Sequence, residues 1–150
     1  MVQEVFTVLI ADRNPHVREF LRREFLNEGY RVLTAKNGRE VLKQVDRPDP
    51  LDVLVLDLDL PDTSGSDLLD TLQDRIPSLP FVLHCFAPDD GSRESACIKA
   101  NAFVEKRGNS VDRLKKVVRE LLSAGKGKRP EPQGPGSGLG APAGGQGRLR

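Results

Sequence analysis

The run Val53-Leu54-Val55-Leu56, four apolar residues with no polar residue among them and Asp57 directly after, constrains this chain more than any other feature. A strand with one wet face alternates apolar and polar residues, whereas a strand covered on both faces does not. The run therefore requires helices on both sides of a sheet. Val8-Leu9-Ile10-Ala11 repeats the pattern, and further strands are expected at Arg31 to Ala35, Phe81 to Cys85 and Phe103-Val104. Helical spacing fills the intervals. Asn14 and Pro15 supply an N-cap and a first-turn proline, Val17, Phe20, Leu21 and Phe25 recur at helical spacing, and Gly29 ends the helix. Asn37 to Val45 presents Val41, Leu42 and Val45 before Pro48 and Pro50 stop it, and Ser66 to Arg75 presents Leu68, Leu69 and Leu72. Ser92 to Lys99 reads as a short fourth helix. Ser110 is expected to cap a last helix with Val111, Leu114, Val117, Val118, Leu121 and Leu122 on its apolar face. Five strand–helix units in this order predict an α/β domain built on a doubly wound, five-stranded parallel sheet.

Composition narrows the class. The 150 residues allow one domain with a real core, and no run of 18 apolar residues exists, so no membrane span is expected. Met1 to Thr7 has no basic region followed by an apolar one, so no secretory leader is expected. Cys85 and Cys97 are too few for a disulfide framework and read as reduced thiols of a cytoplasmic protein, Cys97 as a small core residue. Residues 125–150 hold nine of the 14 glycines, and five basic residues against one acid. This leaves residues 1–124 with 18 basic and 21 acidic side chains, a net of −3 that argues against nucleic-acid binding by the domain. The expected division is a domain over 1–124 and a disordered basic tail or linker over 125–150, too poor in apolar residues to offset its ordering entropy.

In parallel sheets of this kind ligands bind outside the carboxyl ends of the strands. The residues there are Asp12 after the first strand, Asp57 after the third, Cys85 at the end of the fourth and Lys106 after the fifth. Two carboxylates can converge on a hard cation, and a lysine ammonium can neutralise an anion beside them. A carboxylate can also be a nucleophile toward a phosphoryl group, with a divalent cation neutralising the developing charge. Each Asp alone could be a turn residue or helix cap. Three such residues at the right ends of three strands argue for a site.

The stretches VLIADRNPHVREFL, DVLVLDLDLPDTSG, LPFVLHCFA and ANAFVEK resemble, in order and spacing, the signatures of response-regulator receiver domains of two-component signalling, over roughly residues 6–122. The resemblance implies a flavodoxin-like, receiver-type fold and a signalling switch rather than an enzyme. It makes Asp57 the phosphoacceptor and Lys106 the family's lysine. Asp12 matches the first residue of the acidic pair, and Asp59 the position whose backbone carbonyl binds Mg²⁺. Pro61 and Gly65 match the loop after the acceptor, while Cys85 and Phe103 fall at the switch positions. The implied partners are a histidine kinase or phosphotransfer protein, and a downstream protein or second copy docking on the face of the fourth helix, fifth strand and last helix.

Four positions depart from that pattern. Arg13 replaces the second acid, Cys85 the hydroxyl residue, Phe86 the small residue after it, and Arg107 the proline after the lysine. Cys85 keeps only a weak donor. At about 5 Å and an effective dielectric of about 20, a unit charge and a dication interact by roughly 7 kcal/mol, an upper bound on what Arg13 takes from Mg²⁺ binding. Arg13 could instead pair with Asp57 or Asp12 in place of the cation, or swing into water. Asp59 could add its carboxylate only if the chain turns, because its side chain otherwise faces away from that of Asp57.

A working phosphoacceptor is therefore weighed against a phosphorylation-independent pseudo-receiver that serves as an interaction module. Asp57-Leu58-Asp59 also looks like the DxD motif of haloacid-dehalogenase-like phosphatases, but there it follows the first strand and here the third. A flavin site is disfavoured because no Ser/Thr/Gly-rich loop follows the first strand. His16 reads as a surface helix residue, and His84 as a buried, satisfied histidine rather than a ligand.

Overall fold

Five parallel strands lie in the order β2-β1-β3-β4-β5: β1 Thr7–Ala11, β2 Arg31–Ala35, β3 Val53–Leu56, β4 Phe81–Cys85 and β5 Ala102–Glu105. The computed structural model describes residues 5–62, 65–74, 78–86 and 100–126. Its helices are α1 Pro15–Asn27, α2 Gly38–Val45, α3 Gly65–Gln73 and α4 Ser110–Lys126. The helix expected from Ser92 to Lys99, with Cys97 in it, and the tail beyond Lys126 lie outside the described residues.

The continuous apolar strands are explained by what covers them. Leu9, Leu54, Leu56, Phe81 and Leu83 pack on one side against Val41 and Val45 of α2 and Leu68, Leu69 and Leu72 of α3. Their neighbours Val8, Ile10, Val53, Val55, Val82 and Val104 pack on the other side against Leu21 and Phe25 of α1 and Leu114, Val118 and Leu122 of α4. Each such side chain contributes about 1.5–3 kcal/mol when fully buried. Side chains that alternate between two covered faces make these strands mostly apolar, with Thr7 in β1 and His84 in β4 as buried polar residues among those described.

Three local details differ from the sequence reading. Phe20 is 48% exposed. Val17, Leu21 and Phe25 follow a four-residue ridge into the core, and Phe20, one residue before Leu21, is turned about 100° away around the helix. Ser110 is the first residue of α4 rather than its cap: Arg113 N–H donates to the Asn109 carbonyl, and the Ser110 side chain contacts His84. α3 begins at Gly65 and ends at Gln73, close to the expected bounds. Gly29 and Gly108, with φ of +96° and +53°, make the turns after α1 and before α4, where a left-handed backbone suits glycine.

Candidate functional site

Backbone ladders deliver the site residues. One residue past each strand, the parallel pairing continues by a single further bond: Asp12 N–H donates to Ala35 O (3.2 Å), Asp57 N–H to Ala11 O (2.9 Å) and Lys106 N–H to Cys85 O (2.9 Å). Ala11 pairs with Leu56, so Asp12 and Asp57 emerge side by side from adjacent strands. Lys106 leaves β5, two strands from β3, or about 9–10 Å away. Its long stem crosses the end of β4. The ammonium lies 2.8 Å from Asp12 Oδ2 and 3.3 Å from Asp57 Oδ2.

All three groups are withdrawn from water. Asp12 is 2% exposed and Asp57 3%, and the Lys106 side chain is 11% exposed. The second oxygen of each carboxylate accepts a backbone N–H two residues on: Asn14 N–H to Asp12 Oδ1 (2.8 Å) and Asp59 N–H to Asp57 Oδ1 (3.0 Å). The latter bond shows that the chain does turn immediately after Asp57. Burial pushes the Asp12 carboxyl above its usual value, opposed by the hydrogen bond from Lys106, the Asn14 N–H and the Lys106 charge. Two carboxylates and one ammonium leave a formal charge of −1 in a buried space, which favours a cation or a proton. Among the described residues no three His, Cys, Asp or Glu side chains form a ready-made cation cage. Two carboxylates with backbone and water oxygens instead suit a cation such as Mg²⁺, which commonly keeps several waters and takes only one or two protein carboxylates.

Arg13 does not replace the cation. It is exposed, and Lys106 is the group that pairs with both carboxylates. The reason lies in position: Arg13 follows the last ladder-held residue and its neighbours up to His16 are exposed, so its charge stays in water. Arg18 was missed by sequence reasoning; its Nη1 donates to the Asp12 carbonyl at 2.7 Å and fixes the loop after β1. Cys85 is fully buried among the side chains under α2 and α3, and Phe103, opposite Leu83 in the β4–β5 register, is partly buried against the same cluster. Asp59 is half-buried; Pro61 is exposed and Gly65 opens α3.

Two further contacts had no signal in the sequence. Asp62 accepts the N–H groups of Gly38 (2.7 Å) and Arg39 (3.0 Å), tying the loop after Asp57 to the start of α2, and these bonds hold its carboxyl below the usual value. Phe86, directly after β4, is 65% exposed with the Lys106 ammonium 5.6 Å from its ring centroid. His84 is 3% exposed; its Nε2 is 3.1 Å from Ser110 Oγ, while Nδ1 has no partner among the described residues. It is thus buried, as the sequence suggested, but only half satisfied. Burial and the Lys106 charge, against a smaller opposing effect of Asp57, push its pKa down to about 4.

Comparison with known proteins places this geometry in context. Residues 8–119 match the family described as the response regulator receiver domain. The probable transcriptional regulatory protein TcrX of Mycobacterium tuberculosis is 39% identical over 77 residues, which cover 51% of this chain and 32% of TcrX. The transcriptional regulatory protein KdpE of the same organism is 30% identical over 126 residues, covering 82% of this chain and 55% of KdpE. These matches span about a third to just over half of the relatives' own length. The response regulator TrrA of Thermotoga maritima, crystallised with Mg²⁺-BeF, superposes with a TM-score of 0.69 at 30% identity, over 79% of this chain and 100% of that one. TrrA has also been crystallised in complex with the histidine kinase ThkA; that structure gives a TM-score of 0.68 at 27% identity, over 79% of this chain and 99% of that one. No helix among the described residues is long and apolar enough to cross a membrane.

Proposed function

The chain belongs to the response regulator receiver family of two-component signal transduction, and from that membership we propose that Asp57 is its phosphoacceptor. The observation that carries the reading is the buried triad at the carboxyl end of the sheet, with one ammonium bridging Asp12 and Asp57 at 2.8 and 3.3 Å. An Asp57 carboxylate oxygen supplies the electron pair of a new P–O bond. The bond from phosphorus to the donor breaks, and its electrons leave on the imidazole nitrogen of a histidine kinase or on the acetate of acetyl phosphate. Lys106 neutralises the phosphoryl oxygens, exchanging part of its hold on the carboxylates for them. Asp12, Asp57 and the Asp59 backbone carbonyl would hold Mg²⁺, which, when bound, supplies charge neutralisation at the transferring phosphoryl group. A histidine kinase partner is consistent with the ThkA complex of TrrA.

The product stays on the protein and acts as a signal, so the domain works as a switch in the cytoplasm rather than as an enzyme turning over a metabolite. Its output passes through the Cys85–Phe103 region to a downstream partner, and the segment beyond the domain serves as tail or linker. The test is intact-mass analysis after incubation with Mg²⁺ and acetyl phosphate. A gain of one phosphoryl group that Asp57→Asn abolishes supports the reading; no gain, under conditions that label an ordinary receiver, refutes it. Arg13 in place of a second acid favours one alternative, a phosphorylation-independent interaction module. That alternative fails if Asp57→Asn folds normally yet loses signalling.

A further inference from the structure

An ammonium has three N–H bonds, and the two site carboxylates account for only two directions around Lys106 Nζ. On another side is an aromatic face, the Phe86 ring at 5.6 Å to its centroid. That distance is within the range of a cation–π attraction, in which the negative face of the ring draws the cation. Phe86 contributes little to the core: it is 65% exposed, the most exposed of the large apolar side chains described. Cys85, its neighbour in sequence, is fully buried, so the backbone that carries the ring is anchored at its near end.

We infer that Phe86 is a positioning residue for Lys106, its ring holding the ammonium at the mouth of the Asp12–Asp57 pair. Asp12, Asp57 and Phe86 surround the charge, and the long lysine stem then has less freedom to leave the site. The inference deepens the phosphoacceptor reading and rests on it for its kinetic consequence: an ammonium already in place meets the incoming phosphoryl oxygens without first being ordered. A bulky side chain that merely obstructed the mouth would act in the opposite direction, because trimming it would speed entry of the donor.

The test compares Phe86→Leu, which keeps apolar bulk without the π face, with Phe86→Tyr, which restores the face. The high exposure of the side chain means that neither change disturbs the core. By NMR the Lys106 ε-methylene protons should be displaced upfield by the ring in the wild-type protein, lose that displacement in Phe86→Leu and regain it in Phe86→Tyr. With acetyl phosphate and Mg²⁺, Phe86→Leu should lower the maximal phosphorylation rate about two- to five-fold with little change in KM, and Phe86→Tyr should return it. Undisplaced Lys106 protons in the wild type, or a Phe86→Leu rate equal to or above wild type, overturns the inference, as does a Tyr variant no better than Leu. If the wild-type protein takes no phosphoryl group at all, the phosphoacceptor reading falls by itself, and the NMR comparison still decides whether the ring holds the lysine.

Discussion

Replacing Lys106 with methionine keeps most of the stem and removes only the ammonium. Two carboxylates, 2% and 3% exposed, then face each other with no cation between them. Deleting one partner of a buried ion pair typically costs about 3–5 kcal/mol, because the remaining charge stays buried. Here the pair can take up a proton, which keeps the loss near the lower figure, about 3 kcal/mol. With a urea slope near ~1.5 kcal/mol/M for a domain of this size, the unfolding midpoint should fall by about 2 M at pH 7.5. The pH dependence carries its own sign. The Asp12 carboxyl is already raised by burial, and removing Lys106 takes away contributions that lower it. A folded-state carboxyl above its unfolded value retains a proton that the unfolded chain has released, so the folded state gains as pH falls through that window. The gap between Lys106→Met and wild type should therefore narrow from pH 7.5 toward pH 5; His84, whose pKa the Lys106 charge also lowers, is less depressed in the variant and narrows the gap further. Urea melts followed by circular dichroism at the two pH values measure it. A gap below about 0.5 kcal/mol at pH 7.5, or one that widens on acidification, refutes the account of the triad.

Three other outcomes follow from described contacts. The His84 pKa, about 4 in the fold against 6.5 for the free side chain, means that the unfolded chain binds a proton first as pH falls; stability should drop by up to about 3 kcal/mol between pH 6.5 and 4, and His84→Asn should flatten that slope in urea melts. Asp62→Ala should speed hydrogen exchange at the Gly38 and Arg39 amides, read residue by residue by NMR, while the amides of β1 and β3 keep their protection. Arg13→Asp should tighten Mg²⁺ binding by at least about ten-fold, measured by calorimetry, since it exchanges repulsion for attraction beside Asp12; unchanged affinity would mean that the exposed guanidinium is too well screened to matter.

The parts of this molecule legible in the sequence were those fixed by neighbours along the chain. Val53 to Leu56 announced a doubly covered strand, and the first polar residue after it, Asp57, was necessarily at a carboxyl end. The same logic placed Asp12 and Lys106, and the parallel register did the rest. Contacts set by side-chain direction across large sequence distances were not legible. Asp62 reaches an amide 24 residues away, and nothing around Asn37 and Gly38 signals a second acceptor beyond the Asn37 cap itself. Arg13 looked like a competitor for the site because it is adjacent in sequence, yet adjacency says nothing about which way a long side chain turns. Ser110 was a reasonable cap by residue type, and only the packing of β4 against α4 shows that its hydroxyl is turned to His84.

The strand order has a mechanical consequence. Asp57 follows β3, the middle strand, gripped by a neighbour on each side, whereas Lys106 follows β5, which among the described residues pairs on one side only. Acid and cation thus stand on supports of unequal stiffness. A force that slides the outer strand by a fraction of a residue lengthens the Lys106–Asp57 contact and leaves the acid where it was.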